Sequence, residues 1–523
     1  MYLFTAGMGI GLTGLQAAQN AINVTGQNIA NINTPGYARQ RVNLETGYAV
    51  QIDKLQFGLG VNVNQVQAIR DRFLDMQLTQ TITRMFGTKT RYEGVENVAS
   101  LFVENGESGF GIELQRFFQS FEELAARPED DAVRMNVVSK AQTWIVGLQS
   151  RYALIEEKRA QANRSVASIV NEVNTITAHI ARLNYQIAQE VPKGSDNNSR
   201  DQRQALVDKL AELVGIHVYE DTQERMTITL ENGIPLVTGT KAMTMVTNSD
   251  PLNEGFYKVE VVLGNPYEDP PGIWHEGEKI EVTSAIKSGT LGGMIDLRDH
   301  LLADQLTELD ILAGNVVQQV NQLHYYGAGL EGTAGYHFFV GNNFDYGPPQ
   351  SGNEETPGDP AFGLPLNNGT GVAIDINNNY KGMVRNLNVN QAIIDNPRLV
   401  ASADAFGEPG NNAIALQLAE LQDKPDSVRY LVNGAPVTKG PFSSYISSMA
   451  NKIGNLALKL QSDANTDENI RVALEIQRDR LSAVDFDEEA TNLMVFQRSY
   501  QACSRFISVI NQLLDQLVNN FGR

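Results

Sequence analysis

A run of apolar residues near the C-terminal end of this chain has its members spaced alternately three and four positions apart. The positions that follow this spacing are Leu493, Phe496, Tyr500, Cys503, Ile507, Ile510, Leu514, Leu517 and Phe521. Such alternation places side chains along one face of an α-helix, as in a coiled coil. This set, the C-terminal seam, predicts a long helix whose apolar face packs against other protein.

A thinner pattern of the same kind lies near the N-terminal end. We call it the N-terminal seam, and its members, several of them small, are Met8, Gly11, Leu15, Ala18, Ile22, Thr25 and Ile29. The first 38 residues contain no Asp, Glu, Lys or Arg. Chain ends usually fray unless they dock on something. We therefore predict a terminal coiled-coil assembly region over residues 1–45 and 490–523.

The interior repeats the helical spacing over long distances. One seam extends through residues 145–187 and is broken only by Arg159. A second covers 302–323, and a third helical region begins after Pro441 and is interrupted near residues 462–463. These patterns predict an elongated helical-bundle domain over residues 46–215, 289–330 and 408–489.

Two interior segments differ from the helical pattern. Residues 216–288 contain short runs typical of strands, at 217–219, 226–230 and 257–263, separated by turn signals such as Asn232-Gly233. Residues 331–407 are rich in Gly, Asn and Pro. We expect both segments to form one inserted β-rich outer domain. The predicted fold class is mostly α with a β-rich insertion, with both chain ends contributing to the helical bundle.

Composition excludes several classes of partner. Lys and Arg number 41 and Asp and Glu 61, for a net charge of −20. Phosphates would repel a chain this acidic, so we expect neither nucleic acid nor a membrane as partner. The single cysteine, Cys503, excludes an intramolecular disulfide framework and Cys-rich metal sites.

Three motifs resemble chemical sites without meeting their requirements. Residues 9–14 match G-x-G-x-x-G, but a dinucleotide site needs a preceding strand and a nearby acidic residue. The first three ligand positions of an EF-hand calcium loop are matched by Asp375, Asn377 and Asn379. The loop also requires Gly at its sixth position and Glu at its twelfth, and this sequence has neither. The acidic cluster at 485–489 is better explained as the start of a helix. We predict no catalytic residue, cofactor or metal, and no enzyme.

Residues 26–41 resemble the N-terminal signature of bacterial flagellar axial proteins, the rod, hook and hook-associated proteins. The signature residues are Asn31, Thr34, Pro35, Gly36 and Tyr37. A matching C-terminal motif contains Asp487, Glu488 and Glu489. Further stretches resemble the hook-associated members of this family, namely residues 111–118, 124–128 with Arg134, 200–203, 288–298, 321–324, 338–339 and 497–502.

This resemblance implies a structural subunit that polymerises at the hook tip and joins hook to filament. The implied partners are other copies of itself in a ring or tube, the hook protein, the next hook–filament junction protein, the flagellar type III export apparatus, and a dedicated export chaperone. We expect residues 493–521 to carry both polymerisation and chaperone recognition. The implied location is extracellular, on the flagellum, after export without a cleaved signal peptide. Terminal helices in this family are unfolded in the free subunit.

Three alternatives stay open at this stage. Another axial protein, such as a hook or distal rod subunit, would share the residues of the N-terminal signature. A nucleotide-binding oxidoreductase would depend on the glycine match alone. An acidic extracellular adhesin would use the segments within residues 216–407.

Overall fold

The structure, a computed structural model, describes residues 2–34, 36–52, 55–102, 109–190, 196–264, 267–268, 274–275, 277–333, 335–341, 380–432 and 435–521. The chain falls into two compact units. Unit 1 comprises Met1–Thr88, Val166–Gly293 and Asp463–Arg523. Unit 2 comprises Lys89–Ser165 and Met294–Ser462.

The predicted fold class is confirmed, because the chain is mostly helical with long terminal helices and a β-containing middle region. The α-helices are α1 Tyr2–Ala30, α2 Arg72–Ala99, α3 Phe110–Ala126, α4 Asp131–Ala188, α5 Asn197–Leu213, α6 Gly289–Asp296, α7 Leu302–Tyr326, α8 Gln391–Asp395, α9 Ala413–Glu420, α10 Phe442–Ser482 and α11 Phe486–Phe521. A π-helical turn, Leu297–Leu301, joins α6 to α7.

The strands form small antiparallel sheets. In unit 1 they are β1 Gln40–Thr46, β2 Ala49–Ile52, β3 Leu55–Gly58, β4 Val61–Ala68, β5 Ile216–Glu220, β6 Met226–Leu230, β7 Pro235–Thr238, β8 Lys241–Ala242, β9 Thr244–Ser249, β10 Tyr257–Leu263, β11 Tyr267–Glu268, β12 Trp274–His275 and β13 Glu278–Glu281. In unit 2 they are β14 Phe339–Val340, β15 Asn388–Val389, β16 Val428–Val432 and β17 Ala435–Gly440. The larger sheets have the orders β5-β6-β7-β8 and β13-β10-β9, and the remaining strands pair as β1-β4, β2-β3, β11-β12, β14-β15 and β16-β17.

The long interior seam is confirmed in α4. Every seam position from Ile145 to Ile187 is buried, including Arg159, which is 5% exposed. The Arg159 Nε donates to the Arg298 carbonyl oxygen at 2.9 Å. A long charged side chain can therefore occupy a seam position when its head group has a buried acceptor.

The core of unit 2 is an aromatic cluster. Phe117 of α3 stacks on Trp144 of α4 at 6.2 Å, and Phe338 and Phe339 pack edge to face at 4.9 Å. Phe118 stacks on Phe442, the first residue of α10. Burial of such large side chains is the dominant stabilising contribution in a core of this kind.

In unit 1, two asparagines of α4 hold the β-containing region. Asn174 accepts from the Met245 N–H and donates to its carbonyl, both at 2.8 Å. The Asn184 Nδ2 donates to the Met226 and Gly239 carbonyls at 2.7 Å, and its Oδ1 accepts from Arg203 at 2.8 Å. Side-chain amides thus satisfy backbone groups at strand ends that the sheets leave unpaired.

Two local predictions were wrong. The predicted interruption near residues 462–463 is absent, because α10 continues from Phe442 to Ser482. Ser462 and Asp463 are both exposed, so their side chains do not disturb the helix core. The described residues of 46–68, which were assigned to the helical-bundle domain, instead contain strands β2 to β4 and the last residue of β1. The alternating exposure of β4 has the period of a strand, and its Val-Asn-Val-Asn sequence carries that signal.

The structure divides the chain differently from the predicted domain boundaries. Residues 216–288 contain β5 to β13 and belong to unit 1. The described residues of 331–407 belong to unit 2, where Phe338, Phe339 and Val400 are fully buried in the core. These apolar residues join the second segment to the helices of unit 2. The calcium-loop look-alike at 375–379 lies outside the described residues.

Candidate assembly site at the paired terminal helices

The two terminal helices pack against each other in antiparallel orientation within unit 1. Going along α1, Gly7 faces Ile510, Gly11 faces Ile507 and Gly14 faces Cys503. The partner numbers fall as the α1 numbers rise, which defines the antiparallel direction. The terminal seams predicted from the sequence therefore meet each other in a single chain.

Glycines set how closely these helices approach. A Cβ added at Gly11 would lie 2.6 Å from the Ile507 Cγ1, and one at Gly14 would lie 2.9 Å from the Cys503 Sγ. A Cβ at Gly9 would contact nothing within 4 Å. The G-x-G-x-x-G match at 9–14 therefore belongs to a helix surface, and sequence reasoning missed Gly7, which shares the α11-facing side with Gly11 and Gly14.

The predicted seam residues differ in burial. Ala18 is 6% and Ile510 7% exposed, whereas Leu517 is 43% exposed. The half-buried members are Leu15, Ile22, Ile29, Leu493, Phe496, Tyr500, Cys503, Ile507 and Leu514. The side chain of Phe521 lies outside the described residues. Contact with α1 thus accounts for part of the seam's burial, and the assembly role of these residues stays a prediction.

The loop that contains the signature residues 31–37, which we call the signature loop, follows α1. The Asn31 Nδ2 donates to the Gln27 carbonyl at 3.0 Å, and the Thr34 hydroxyl donates to the Asn31 Oδ1 at 3.2 Å. Gly36 has a φ of +79°, a conformation that favours glycine. The Tyr37 hydroxyl donates to the Asn28 Oδ1 at 2.9 Å. Pro35 lies outside the described residues.

The signature loop and the C-terminal motif, more than 400 positions apart in the sequence, are joined by ion pairs. The Arg39 Nε donates to Glu489 at 2.7 Å, and its two terminal nitrogens donate to Glu488 at 2.9 and 2.6 Å. The Arg39 N–H also donates to the Ser482 carbonyl at the end of α10. This contact, which we call the motif junction, ties β1 to the point where α10 ends and α11 begins.

Asn28 completes the motif junction from α1. This side chain is 1% exposed. Its Nδ2 donates to the Gln40 carbonyl at 2.9 Å and to Glu489 at 3.1 Å, and its Oδ1 accepts from the Gln40 N–H at 3.0 Å. All of its polar capacity is therefore used, as burial requires.

Burial, hydrogen bonds and neighbouring charges shift the pKa values of three residues at the motif junction. The hydrogen bond with Glu488 raises the pKa of Arg39, and the same contact lowers the pKa of Glu488. Burial, reinforced by Asp201 and Glu489, raises the pKa of Tyr37 to about 12. Arg39 and Glu488 are therefore charged and Tyr37 is neutral near neutral pH.

A second ion pair supports the signature loop from α5. The Asp201 carboxylate accepts from the Ala38 N–H at 3.3 Å and from the Arg70 Nη2 at 2.8 Å. Arg70 also donates to the Gly36 carbonyl at 3.0 Å. Sequence reasoning did not assign Asp201, Arg70 or Asn28 to the site. The signal for Asp201 and Asn28 was their place inside the stretches that carry the family resemblance.

The acidic cluster before α11 does begin a helix, as predicted. The Asp485 Oδ1 accepts from the backbone N–H groups of Asp487 and Glu488 at 2.9 and 3.1 Å, which is an N-cap interaction. Asp487 itself is exposed, whereas Glu489 is 2% exposed. The three motif acids therefore differ in role, because only Glu488 and Glu489 reach Arg39.

Within the described ranges, no group of three or more His, Cys, Asp or Glu residues could hold a metal ion. Among the helices of those same ranges, none is both long and apolar enough to cross a membrane. The geometry of the site is that of a packing surface held by ion pairs.

Comparison with known proteins agrees with this geometry. Residues 95–339 match the family model described as "Flagellar hook-associated protein FlgK helical domain". Residues 8–37 match "Flagella basal body rod protein", and residues 479–520 match "Flagellar basal body rod FlgEFG protein C-terminal". The chain is a homologue of flagellar hook-associated proteins. The predicted family resemblance is thereby confirmed, and the two rod-protein matches cover α1 with the signature loop and most of α11.

The similarity to individual relatives extends over nearly the whole chain. "Flagellar hook-associated protein 1" of Bacillus subtilis (strain 168) is 27% identical, over 97% of this chain and 96% of that protein. The protein of the same name from Escherichia coli (strain K12) is 26% identical, over 97% and 98%. The solved structure of the flagellar hook junction protein FlgK from Burkholderia pseudomallei has a TM-score of 0.60 at 15% identity, covering 77% of this chain and 99% of that one, and shows that the fold is shared.

Proposed function

We propose that this chain is a structural subunit of the flagellar hook–filament junction and assembles through its paired terminal helices. The observation that carries the proposal is the motif junction, where Arg39 joins the rod-type N-terminal signature to Glu488 and Glu489 of the C-terminal motif. The motif junction lies at one end of the antiparallel pair formed by α1 and α11, and α1 has no charged residue. A helix of this kind can be covered by other subunits without burying unpaired charge.

The same reasoning supports a non-enzymatic role. The ionisable groups of the motif junction are paired with each other and tie backbone segments together, which is a structural use of charge. The proteins that the chain resembles over its whole length carry the name of a structural flagellar component. We propose an adaptor that binds hook and filament components and catalyses nothing.

The proposal includes specific partners and a route. The adaptor would contact other copies of itself, the hook protein and the next junction protein. It would pass unfolded through the flagellar type III export apparatus to the cell exterior, with an export chaperone bound to the C-terminal seam. A half-buried seam supports this, because Phe496 and Ile507 would be fully exposed in a chain whose α1 and α11 are unpaired.

Deletion of the gene in its own cells, followed by electron microscopy, tests the proposed function. We expect intact hooks without filaments, and we expect the full-length chain to restore filaments while residues 1–489 do not. The Gly9→Ala variant, altered where a Cβ meets nothing, is the matched control that should restore them. Loss of hooks would instead indicate a hook or rod subunit, and unaffected filaments would indicate an adhesin.

The helical-domain match separates the junction role from the rod and hook alternatives. The rod-protein matches at 8–37 and 479–520 cover short terminal stretches, whereas the hook-associated match spans 245 positions from 95 to 339. That region includes the buried Arg134 and Arg203, which lie in the stretches that resemble hook-associated proteins. We therefore place the junction role ahead of the rod and hook roles.

A further inference from the structure

A groove in unit 1 lies between helix α2 and strand β5. Its volume is about 380 Å³, and all five residues of β5, Ile216–Glu220, line it. The other lining residues belong to α2, α5 and β6. Successive side chains of a strand point to opposite faces of its sheet, so a groove that touches all five residues follows the edge of the strand. We call it the edge groove.

The main chain of β5 turns polar groups towards this edge. Leu230 and Met226 of β6 make main-chain hydrogen bonds away from β5, within the β6–β7 hairpin and with Asn184 respectively. Their partners across the ladder are Ile216 and Glu220. In an antiparallel ladder, opposite residues that do not bond each other both turn their N–H and C=O groups outward. Ile216 and Glu220 therefore present these groups at the free edge of β5.

The free edge of β5 is unpaired in the part of the chain that the structure describes. The sheet has the order β5-β6-β7-β8, so β5 is a terminal strand. Val218 lies between Ile216 and Glu220 and follows their alternation. Among the described residues, no hydrogen bond uses the outward main-chain groups of these three positions. A strand edge with open N–H and C=O groups is a template for one more strand.

Apolar side chains accompany the free edge. Val207 and Ile216 are buried beneath the groove, at 1% and 4% exposure. Phe73 and Met76 of α2 are 62% and 45% exposed, and Tyr219 of β5 is 60% exposed. An exposed apolar patch with a polar rim is typical of a binding surface, and methionine adapts to side chains of different shape.

Charge favours an acidic group on the occupant. Both carboxylates that line the groove already have arginine partners. Glu220 accepts from Arg203 and from Arg72, each at 2.9 Å, and Asp75 lies 3.7 Å from Arg70. The Arg72 side chain is 79% exposed, so most of its N–H donors remain open to a further acceptor. A carboxylate is the acceptor that suits a guanidinium group best.

We propose that the edge groove binds an extended, acidic peptide segment of another protein, which adds as a strand beside β5. The main chain of the segment bonds the outward groups of β5. Its alternate apolar side chains pack on Phe73 and Met76, and its carboxylate pairs with Arg72. Strand addition of this kind takes affinity from main-chain hydrogen bonds and specificity from alternate side chains. The site goes beyond the proposed function and does not depend on it.

Synthetic peptides tested on the full-length chain examine strand addition directly. The probes are labelled hexapeptides that alternate valine with threonine and carry an aspartate at one end or the other, titrated by fluorescence anisotropy. Two further series carry N-methyl groups on the valines or on the threonines, which removes N–H donors and keeps every side chain. We expect saturable binding that only one of the two series weakens by about tenfold or more, because a strand turns alternate residues to its neighbour.

Variants of the chain locate the bound peptide. Met76→Lys places a charge in the edge groove, whereas Leu252→Lys, the matched control, changes a residue that is 97% exposed outside it. We expect Met76→Lys to weaken binding by about tenfold and Leu252→Lys to leave it unchanged. Arg72→Gln should weaken the binding of peptides with aspartate more than that of peptides with asparagine. Circular dichroism of each variant should match that of the parent chain.

The outcomes separate this site from the proposed function. Absence of saturable binding by every peptide up to about 1 mM overturns the site. Binding that neither N-methyl series weakens overturns strand addition, and this result is obtained on the parent chain without any folding defect. Binding that Met76→Lys leaves unchanged overturns the location. None of these results bears on whether the chain restores filaments in the deletion strain, which tests the junction role alone.

Discussion

At the scale of single residues, the approach of α1 to α11 depends on glycine positions that have no room for a side chain. Gly7, Gly11 and Gly14 face Ile510, Ile507 and Cys503, and the closest added Cβ would lie 2.6 Å from its neighbour. Small residues at helix contacts let the backbones come close enough for the larger partner to fill the groove. Several members of the N-terminal seam are small because the larger side chains that fill this contact belong to α11.

The first prediction compares two glycines of the same helix. We expect Gly11→Ala to lower the free energy of unfolding by about 1–3 kcal/mol, because overpacking forces α11 away. Gly9→Ala, which meets open space, should instead raise it by about 0.5–1 kcal/mol through helix propensity. Urea unfolding followed by circular dichroism measures both. Equal effects from the two variants would contradict the close contact.

The second prediction concerns the two acids of the motif junction. The side chain of Glu489 is 3% exposed, whereas that of Glu488 is 56% exposed. We expect Glu489→Ala to lower the free energy of unfolding by about 1–3 kcal/mol, because the buried Asn28 and the half-buried Arg39 lose an acceptor. Glu488→Ala should cost at most about 1 kcal/mol, as exposed ion pairs do. Chemical unfolding of both variants measures the difference, and a larger effect at Glu488 would contradict the burial argument.

At the scale of elements, α7 holds the surrounding segments of unit 2 through polar side chains on a buried helix. Asn321 exchanges two hydrogen bonds of 2.8 Å with the backbone of Phe339. The His324 Nε2 accepts from the Ala401 N–H at 3.0 Å, so its Nδ1–H donates to the Tyr336 carbonyl at 2.7 Å. Only neutral histidine can make both bonds, since the protonated ring has no acceptor.

The third prediction is an acid sensitivity of unit 2. Burial lowers the pKa of His324 from its ordinary 6.5 to about 4. Between pH 6.5 and pH 4, the unfolded chain therefore binds a proton at His324 that the folded chain does not bind. Stability from this group is complete above pH 6.5 and is lost as the pH falls towards 4, by about 3 kcal/mol at most.

Thermal unfolding between pH 4 and 7 measures this acid sensitivity. His324→Gln should flatten the part of the profile that belongs to the histidine, because an amide does not titrate there. His300→Gln is the control, since the His300 side chain is 71% exposed. An unchanged profile in His324→Gln would remove His324 as the source.

At the scale of the whole molecule, the chain divides into two units that each draw on distant parts of the sequence. Unit 1 combines both chain ends with residues 166–293, and unit 2 has the aromatic core. The charge-free helix α1 and the helix α11, whose two Arg and four Asp and Glu residues give it a net charge of −2, both lie in unit 1. Of the net charge of −20, −18 is therefore carried by the rest of the chain.

The fourth prediction is made for the free chain in solution. If the terminal helices order only on assembly, removal of residues 490–523 should leave the helical circular dichroism of the monomer nearly unchanged. The physical reason is that ordering costs about 1–2 kcal/mol per residue, which a half-buried seam offsets poorly until neighbours cover it. A large helical loss on truncation would show that α11 is ordered in the monomer. In that case the effects of Gly11→Ala and Glu489→Ala are measured on the monomer, whereas with disordered termini they are expected only in the assembled chain. The melting of unit 2 is the internal control.

Periodic elements could be predicted from sequence, because burial on one side of a helix imposes a repeat that is visible in the residues. The α4 seam and the strands at 226–230 and 257–263 are examples. Local caps could be predicted too, since Asp485 acts on N–H groups two and three positions away. The predicted break in the helix near residue 462 was wrong, because helix propensity does not tell which way a side chain points.

Residue order alone sets the terminal seams, the absence of charge at the N-terminal end and the resemblance to flagellar axial proteins. Which partners those residues meet follows from the folded chain and cannot be read from residue order. The tertiary structure placed Arg39 beside Glu488 and Glu489, gave Gly7 rather than Gly9 a role in helix approach, and left Val509 exposed while Ile507 faces α1. Such pairings join residues hundreds of positions apart, or separate residues two positions apart that differ by about 200° of helix rotation, and no local repeat specifies them.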